Sequence, residues 1–81
     1  MKRVVKYIVV PFRMAKGRFF PGEKRKAESE SRAVVLAEAL ARRFAGVAAF
    51  EVNIDEETGE MHDPRELIVL GRVPDLSLAF A

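Results

Sequence analysis

The chain has 81 residues, no cysteine and a net charge of +2, with 49% hydrophobic and 32% charged residues. The absence of cysteine excludes disulfides, thiolate metal sites and cysteine nucleophiles, and the apolar content is too high for a disordered chain. A chain of this length buries about 60% of its unfolded surface, which predicts a single small domain over residues 1–81 with a thin core.

The first predicted element is a strand over about residues 4–14, which is apolar on both faces. Ile8, Val10 and Phe12 share one face, whereas Tyr7 and Val9 share the other. Such a pattern predicts a central strand, or a strand whose second face is covered by a partner. Pro11 cannot donate a hydrogen bond to a ladder, so we expect a bulge or a sheet edge there.

Residues 15–28 allow two interpretations. Residues 15–17 are a turn candidate, after which residues 18–20 could return as a short second strand before Pro21 and Gly22. Alternatively, the whole segment is a loop. We favour the strand because Phe19 and Phe20 are expected to require burial. The first interpretation gives the order β-β-α-β-β and the second gives β-α-β-β.

A helix is predicted over about residues 29–45. Its apolar stripe has the spacing i, i+3, i+4, i+7 and i+11 and consists of Ala33, Leu36, Ala37, Leu40 and Phe44. Ser29 is a plausible N-cap, with Ser31 as the competing position. Gly46 stands where a left-handed residue would end the helix.

Two further strands are predicted over residues 47–54 and 67–73, joined by a long acidic hairpin loop over residues 55–64. The predicted fold is therefore α+β, with a single helix on one face of a three- or four-stranded, mostly antiparallel sheet. The apolar tail, residues 76–81, is expected to dock on the sheet or to contact another chain. The predicted core residues are Ile8, Val10, Phe12, Leu36, Leu40, Phe44, Phe50, Val52, Leu67 and Val69.

Charge is strongly polarised along the chain. Residues 1–27 contain nine Lys or Arg and one Glu, a net charge of +8, whereas residues 51–66 contain seven acids and one Arg, a net charge of −6. The remaining two stretches are each neutral. Polarity of this kind concerns partners and association rather than fold.

No sequence motif indicates catalysis or a cofactor. His62 is the single histidine, and it stands in an acidic loop without a nucleophile at a diagnostic spacing. The acids of residues 55–66 do not match the calcium-loop pattern. That pattern requires glycine at the sixth position, and Gly59 is at the fifth when Asp55 is the first. We therefore expect a non-enzymatic protein with no catalytic residue, no metal site and no cofactor.

The sequence also has no apolar run of about 18 residues that could span a bilayer. Lys2 and Arg3 precede apolar residues as in a signal peptide, but Lys6 interrupts that run and no small-residue cleavage site follows. We expect a cytoplasmic protein without a membrane partner.

The basic segment over residues 13–26 is the best candidate for a binding site. Its cations could bind phosphates of nucleic acid or other anions, and they are Arg13, Lys16, Arg18, Lys24, Arg25 and Lys26. The leading hypothesis, however, is a protein-interaction domain, with another protein or a second copy of the chain as partner, because the basic segment of one copy could meet the acidic hairpin of another. The nucleic-acid-binding module is the alternative.

Several short stretches resemble small proteobacterial proteins, mostly alphaproteobacterial, to which no activity has been assigned. The resemblance runs through residues 9–13, Gly17 and residues 21–22, then through residues 40–43 and 45–50, and it ends with residues 58–60, 63–64, Leu67, Gly71 and 73–75. Residues 28–32 depart from the helix opening of those proteins. The resemblance implies a bacterial origin and a compact α+β fold, and it implies no site residues.

Overall fold

The computed structural model of the protein describes residues 3–74, which form five strands and one helix. In chain order these are β1 (Arg3–Ala15), β2 (Arg18–Pro21), β3 (Arg25–Ala27), α1 (Glu30–Leu40), β4 (Gly46–Asp55) and β5 (Met61–Gly71). The sheet order is β2-β1-β4-β5, β3 also pairs with β1, and every pair is antiparallel. The predicted α+β fold is thus confirmed. The sheet has five strands rather than three or four because residues 18–27 supply two short ones.

The first strand is central, as its two apolar faces predicted. One side of β1 pairs with β4 from Arg3–Asp55 to Phe12–Gly46, and the other side pairs with β2 and β3. Between these two short strands, residues 22–24 lie opposite only residues 10–11, which is a bulge of one residue. The bulge lies opposite Pro11, the residue that has no N–H to donate.

The hairpin between β1 and β2 confirms the turn over residues 15–17. Lys16 has φ 51° and Gly17 has φ 75°, so both central residues occupy the left-handed region that two-residue hairpin turns require. The expectation that both phenylalanines are buried was wrong for one of them. Phe19 is half-buried, but Phe20 is 50% exposed because it lies on the other face of a short edge strand.

The predicted N-cap of the helix is confirmed, because the Arg32 N–H donates to Ser29 Oγ at 3.2 Å. The helix nevertheless ends at Leu40 rather than near residue 45. The prediction of Gly46 as the left-handed residue after its end was also wrong, because Gly46 is the first residue of β4. A glycine is required there for another reason. A Cβ on Gly46 would overlap the backbone of Arg72, which passes beside it.

The fifth strand begins six residues earlier than predicted, at Met61, so that the hairpin loop after β4 is short rather than long. Its pairing with β4 shifts register at Leu67, the extra residue between the pairs Ala49–Ile68 and Phe50–Glu66. Asp63, with φ 50°, marks a further irregularity. The irregular backbone and the acidic composition of residues 61–66 explain why alternation alone did not reveal this half of the strand.

Apolar residues pack on both faces of the sheet. The cluster on the helix side consists of Val9, Ala33, Ala37, Leu40, Val47 and Ala49, and the cluster on the opposite face consists of Ile8, Phe12, Ala48, Phe50 and Val52. The predicted core residues are therefore divided between two faces rather than gathered under the helix. The apolar tail, residues 76–81, lies outside the described residues. Within residues 3–74 no helix has the length and apolar character needed to cross a membrane.

Leu40→Ala should lower the free energy of unfolding by about 2–5 kcal/mol, because Leu40 is only 7% exposed and packs in the helix-side cluster. Val35→Ala is the matched control, since Val35 lies on the same helix and is 66% exposed. It should change the free energy of unfolding by less than about 0.5 kcal/mol. Urea denaturation followed by circular dichroism measures both. Equal losses would contradict the orientation of the helix.

Candidate functional site

The antiparallel register places the two charged regions at opposite ends of a long molecule. The turn between β1 and β2 is at one end, and the hairpin loop of residues 56–60 is at the other, because Arg3 pairs with Asp55. A strand of 13 residues such as β1 spans about 40 Å at ~3.3 Å per residue. The longest dimension of the protein is 42 Å, which matches this length.

The first end, which we call the basic end, gathers six exposed cations. Three were candidates from the sequence: Arg13, Lys16 and Arg18. The tertiary structure adds Arg42, Arg43 and Arg72, which sequence reasoning missed. They reach this end because the chain leaves α1 through residues 41–45 into Gly46, which pairs with both Phe12 and Gly71. The Arg72 N–H donates to the Ala45 carbonyl at 2.9 Å, which fixes the last of them there.

The other three candidates lie elsewhere. Arg25 pairs with Val9 and Lys26 with Ile8, so both are on the outer edge of the sheet, in the middle of β1, and their side chains point to opposite faces. Lys24 is exposed in the bulge beside them. The basic segment that reads as one patch in sequence is therefore divided between the basic end and the β3 edge. Val9, which lies opposite Arg25, is four steps and about 13 Å from Arg13 along β1.

Within residues 3–74, no acidic side chain pairs with the cations of the basic end. Among residues 3–74 the ion pairs are Arg3–Asp63, Arg32–Glu28, His62–Glu60, Arg65–Glu30 and Arg65–Glu51, and none of them involves the six cations. The Arg13 guanidinium instead lies over the Phe44 ring, 4.9 Å from its centroid. The positive charge of this end is therefore not compensated by any other described residue.

An exposed aromatic ring accompanies these cations. Phe20 lies opposite Arg13 in the β1–β2 register, and Arg18, two residues earlier on β2, is on the same face. Phe19 points to the opposite face and packs against its apolar cluster. Phe20 thus presents a half-exposed ring on the same face of the sheet as Arg13 and Arg18. Such a ring can pack against an apolar protein side chain or stack on a nucleobase.

The other end of the molecule, which we call the acidic end, carries residues 55–60, and one of its carboxylates has a structural role. Asp55 is 4% exposed, and its Oδ1 accepts hydrogen bonds from the backbone N–H groups of Glu57 at 2.9 Å and Thr58 at 3.4 Å. These bonds stabilise the turn, as Asp commonly does. Glu56, Glu57 and Glu60 are exposed. Across the described part of the chain, no group of three or more His, Cys, Asp or Glu side chains is arranged to hold a metal ion.

Arg65 connects three elements near the acidic end. Its Nε and Nη2 each donate to the Glu51 carboxylate at 3.1 Å, and Nη2 also donates to Glu30 Oε1 at 2.9 Å, so that β5 is tied to β4 and to the start of α1. The hydrogen bonds from Arg65 are the main cause that lowers the pKa of Glu51. Desolvation opposes them with a smaller effect, and the charge of Arg65 adds a still smaller lowering of that pKa. The charge of Arg65 is thereby shared between Glu51 and Glu30.

Arg65→Gln should raise the pKa of Glu51 towards its ordinary value, because the charged donor that favours the carboxylate is lost. A carboxylate with a lowered folded-state pKa contributes stability above its unfolded pKa and loses it as the pH falls through the folded pKa. The variant should therefore lose less stability on acidification. Carboxyl ¹³C NMR titration measures the pKa, and Arg32→Gln, which removes the partner of Glu28, is the control. An unchanged Glu51 pKa would contradict the assigned cause.

Comparison with known proteins adds no family to this geometry. No family model matches the chain, and neither a curated protein nor a solved structure shows significant similarity to it.

Proposed function

We propose that the protein is a small non-enzymatic interaction domain that binds an acidic protein surface through its basic end. The observation that carries this proposal is the set of six exposed cations at one end of the molecule, none of which forms an ion pair with another described residue. Unpaired cations of this kind attract and orient a complementary partner.

The polarity of the whole molecule supports a protein partner over a nucleic acid. A nucleic acid that extended from the basic end along the whole molecule would meet the exposed acids Glu56, Glu57 and Glu60 at the other end and would be repelled by them. A protein surface can carry both signs and match both ends. The half-exposed ring of Phe20 is also a suitable anchor, because aromatic side chains surrounded by polar groups are enriched at protein interfaces.

Site-specific photo-crosslinking in the cell of origin tests this proposal. With a photoreactive phenylalanine at Arg18, we expect discrete crosslinked protein species, whereas the same probe at the exposed helix position Glu38 should give none. Charge reversal at the basic end, Arg42→Glu with Arg43→Glu, should abolish these species because it replaces attraction by repulsion.

The matched control is Lys24→Glu with Lys26→Glu, which makes the same change in net charge at the β3 edge. It should leave the crosslinks in place. Equal losses from both reversals would mean that only overall charge matters, and crosslinks to nucleic acid alone would also contradict a protein partner.

Single-stranded nucleic acid is the second candidate ligand, and the specific observation in its favour is Phe20. The half-exposed ring shares a face of the sheet with Arg13 and Arg18, so a base can stack on it while cations nearby bind phosphates. Such stacking contributes about 1–3 kcal/mol per base. The helix, by contrast, does not carry a basic face of the kind that enters a major groove.

Backbone-amide NMR titration with short single-stranded RNA and DNA, and with duplexes, separates the two candidates. If protein is the partner, shifts around residues 13–20 should vanish near about 0.15 M salt, where exposed charges are screened. Saturable shifts that persist would instead establish nucleic-acid binding. In that case Phe20→Leu should weaken binding about tenfold or more, and Phe20→Tyr, which keeps the ring, should not.

A further inference from the structure

The two edges of the sheet differ in how well they resist pairing with another strand. The β2–β3 edge consists of two short strands separated by a bulge, with Pro21, Arg18 and Lys26 along it. Short strands, bulges, prolines and basic side chains are the features by which proteins prevent edge-to-edge pairing. This edge is closed to a further strand.

The opposite edge, formed by β5, is protected only in its first half. There the left-handed Asp63, followed by Pro64, interrupts regular pairing. The second half, residues 67–71, contains four consecutive half-buried apolar residues and a glycine, and it has neither a proline nor a charge. Within residues 3–74, no strand pairs with its outer side.

The hydrogen-bond pattern identifies which backbone groups are available on this edge. Arg72 donates to Ala45, and the register continues with Leu70 opposite Val47 and Ile68 opposite Ala49. Because antiparallel residues alternate between facing the partner strand and facing away, the N–H and C=O groups of Val69 and Gly71 point to the open edge. These are the groups that a further strand would bind.

We propose that the second half of β5 pairs antiparallel with the same segment of a second copy, with Val69 opposite Val69 of that copy, to form one continuous ten-stranded sheet. The proposal concerns the β5 edge, involves only Arg72 among the cations of the basic end, and does not depend on the function proposed for that end. A two-fold axis perpendicular to the sheet generates this arrangement, which gives a closed dimer and leaves both helices on one face. Each copy satisfies the outward backbone groups of the other.

Charge complementarity selects the second copy as the partner and sets its direction. Glu66 is the acid in the first half of β5 that forms no ion pair with another described residue, and Arg72 directly follows the end of the strand. The neighbouring cation, Arg65, is already paired with Glu30 and Glu51 of its own chain. Antiparallel pairing brings the acidic half of one β5 next to Arg72 of the other, whereas a parallel arrangement would bring like charges together. The acidic end of each copy is then also at the same end of the dimer as the basic end of the other.

Sedimentation velocity on the full chain tests the association, and Val69→Pro tests the edge. The substitution removes the outward N–H of residue 69 and leaves the hydrogen bonds to β4 in place. Because the dimer is two-fold symmetric, two intermolecular hydrogen bonds are lost. We expect a dimer whose dissociation constant rises about tenfold to hundredfold in this variant. Val69→Ala, which keeps the N–H and removes only the cross-strand contact of the two side chains, should raise the dissociation constant by about fivefold or less.

A disulfide test gives the register and remains decisive if Val69→Pro does not fold. The chain has no cysteine, so a single introduced thiol can pair only with the same residue of another copy. Opposed residues of a hydrogen-bonded antiparallel pair are about 5.5 Å apart at Cα, within the roughly 4.4–6.8 Å that disulfides accept. Val69→Cys should form a covalent dimer under mild oxidation, and Lys26→Cys, on the closed edge, should not.

Three results would overturn the proposal: a wild-type chain that stays monomeric, a dimer that is insensitive to Val69→Pro, or covalent dimers from Lys26→Cys but not from Val69→Cys. None of them bears on the function proposed for the basic end, because the crosslinks from residue 18 and the effect of reversing Arg42 and Arg43 do not involve β5. Conversely, if the probe at residue 18 gives no crosslinked protein even with Arg42 and Arg43 intact, while Val69→Cys still forms the covalent dimer, the proposed function is wrong and the interface stands.

Discussion

The long antiparallel pairing of β1 with β4 is the constraint on which the rest of the molecule depends. It runs from Arg3–Asp55 to Phe12–Gly46 without interruption, and it is flanked by apolar residues on both faces of the sheet. Because strands are stiff over this length, the pairing separates the two connecting hairpins by the full length of the molecule. The basic turn and the acidic loop are therefore at opposite ends, where their charges cannot neutralise each other.

The same pairing determines which cations are gathered together. Gly46 is joined to Phe12 on one side and to Gly71 on the other, so three distant segments of the chain end at one place. The close approach of the Arg72 backbone to Gly46 leaves no room for a side chain, and this contact holds the end together. The basic end is thus a consequence of strand register, and a glycine makes the register sterically feasible.

The two proposed surfaces use different physical interactions. The basic end offers unpaired charge, which acts over a distance of about 8 Å at physiological salt and supplies orientation more than binding energy. The β5 edge offers backbone hydrogen bonds and apolar side chains, which act only in direct contact. Antiparallel pairing of two copies would satisfy the edge while leaving both basic ends exposed for a further partner. A molecule of this kind can associate with itself and still present two identical binding ends.

Local sequence determined much of the fold. The helix stripe and the Ser29 cap, the two-residue turn at Lys16 and Gly17, and the two-faced apolar pattern of β1 each rest on neighbouring residues whose periodicity or backbone preference is sufficient. The end of α1, the role of Gly46 and the early start of β5 were misassigned, because packing between distant segments overrides local preference there.

The candidate site shows the same division. The sequence by itself determined that Arg13, Lys16 and Arg18 lie near one turn, because they are close in the chain. Only the tertiary structure decided that Arg42, Arg43 and Arg72 join them and that Arg25 and Lys26 do not, since strand register and not chain proximity brings side chains to one place. The exposure of Phe20 and the open edge of β5 likewise depend on what packs beside them, and local sequence carries no information about that.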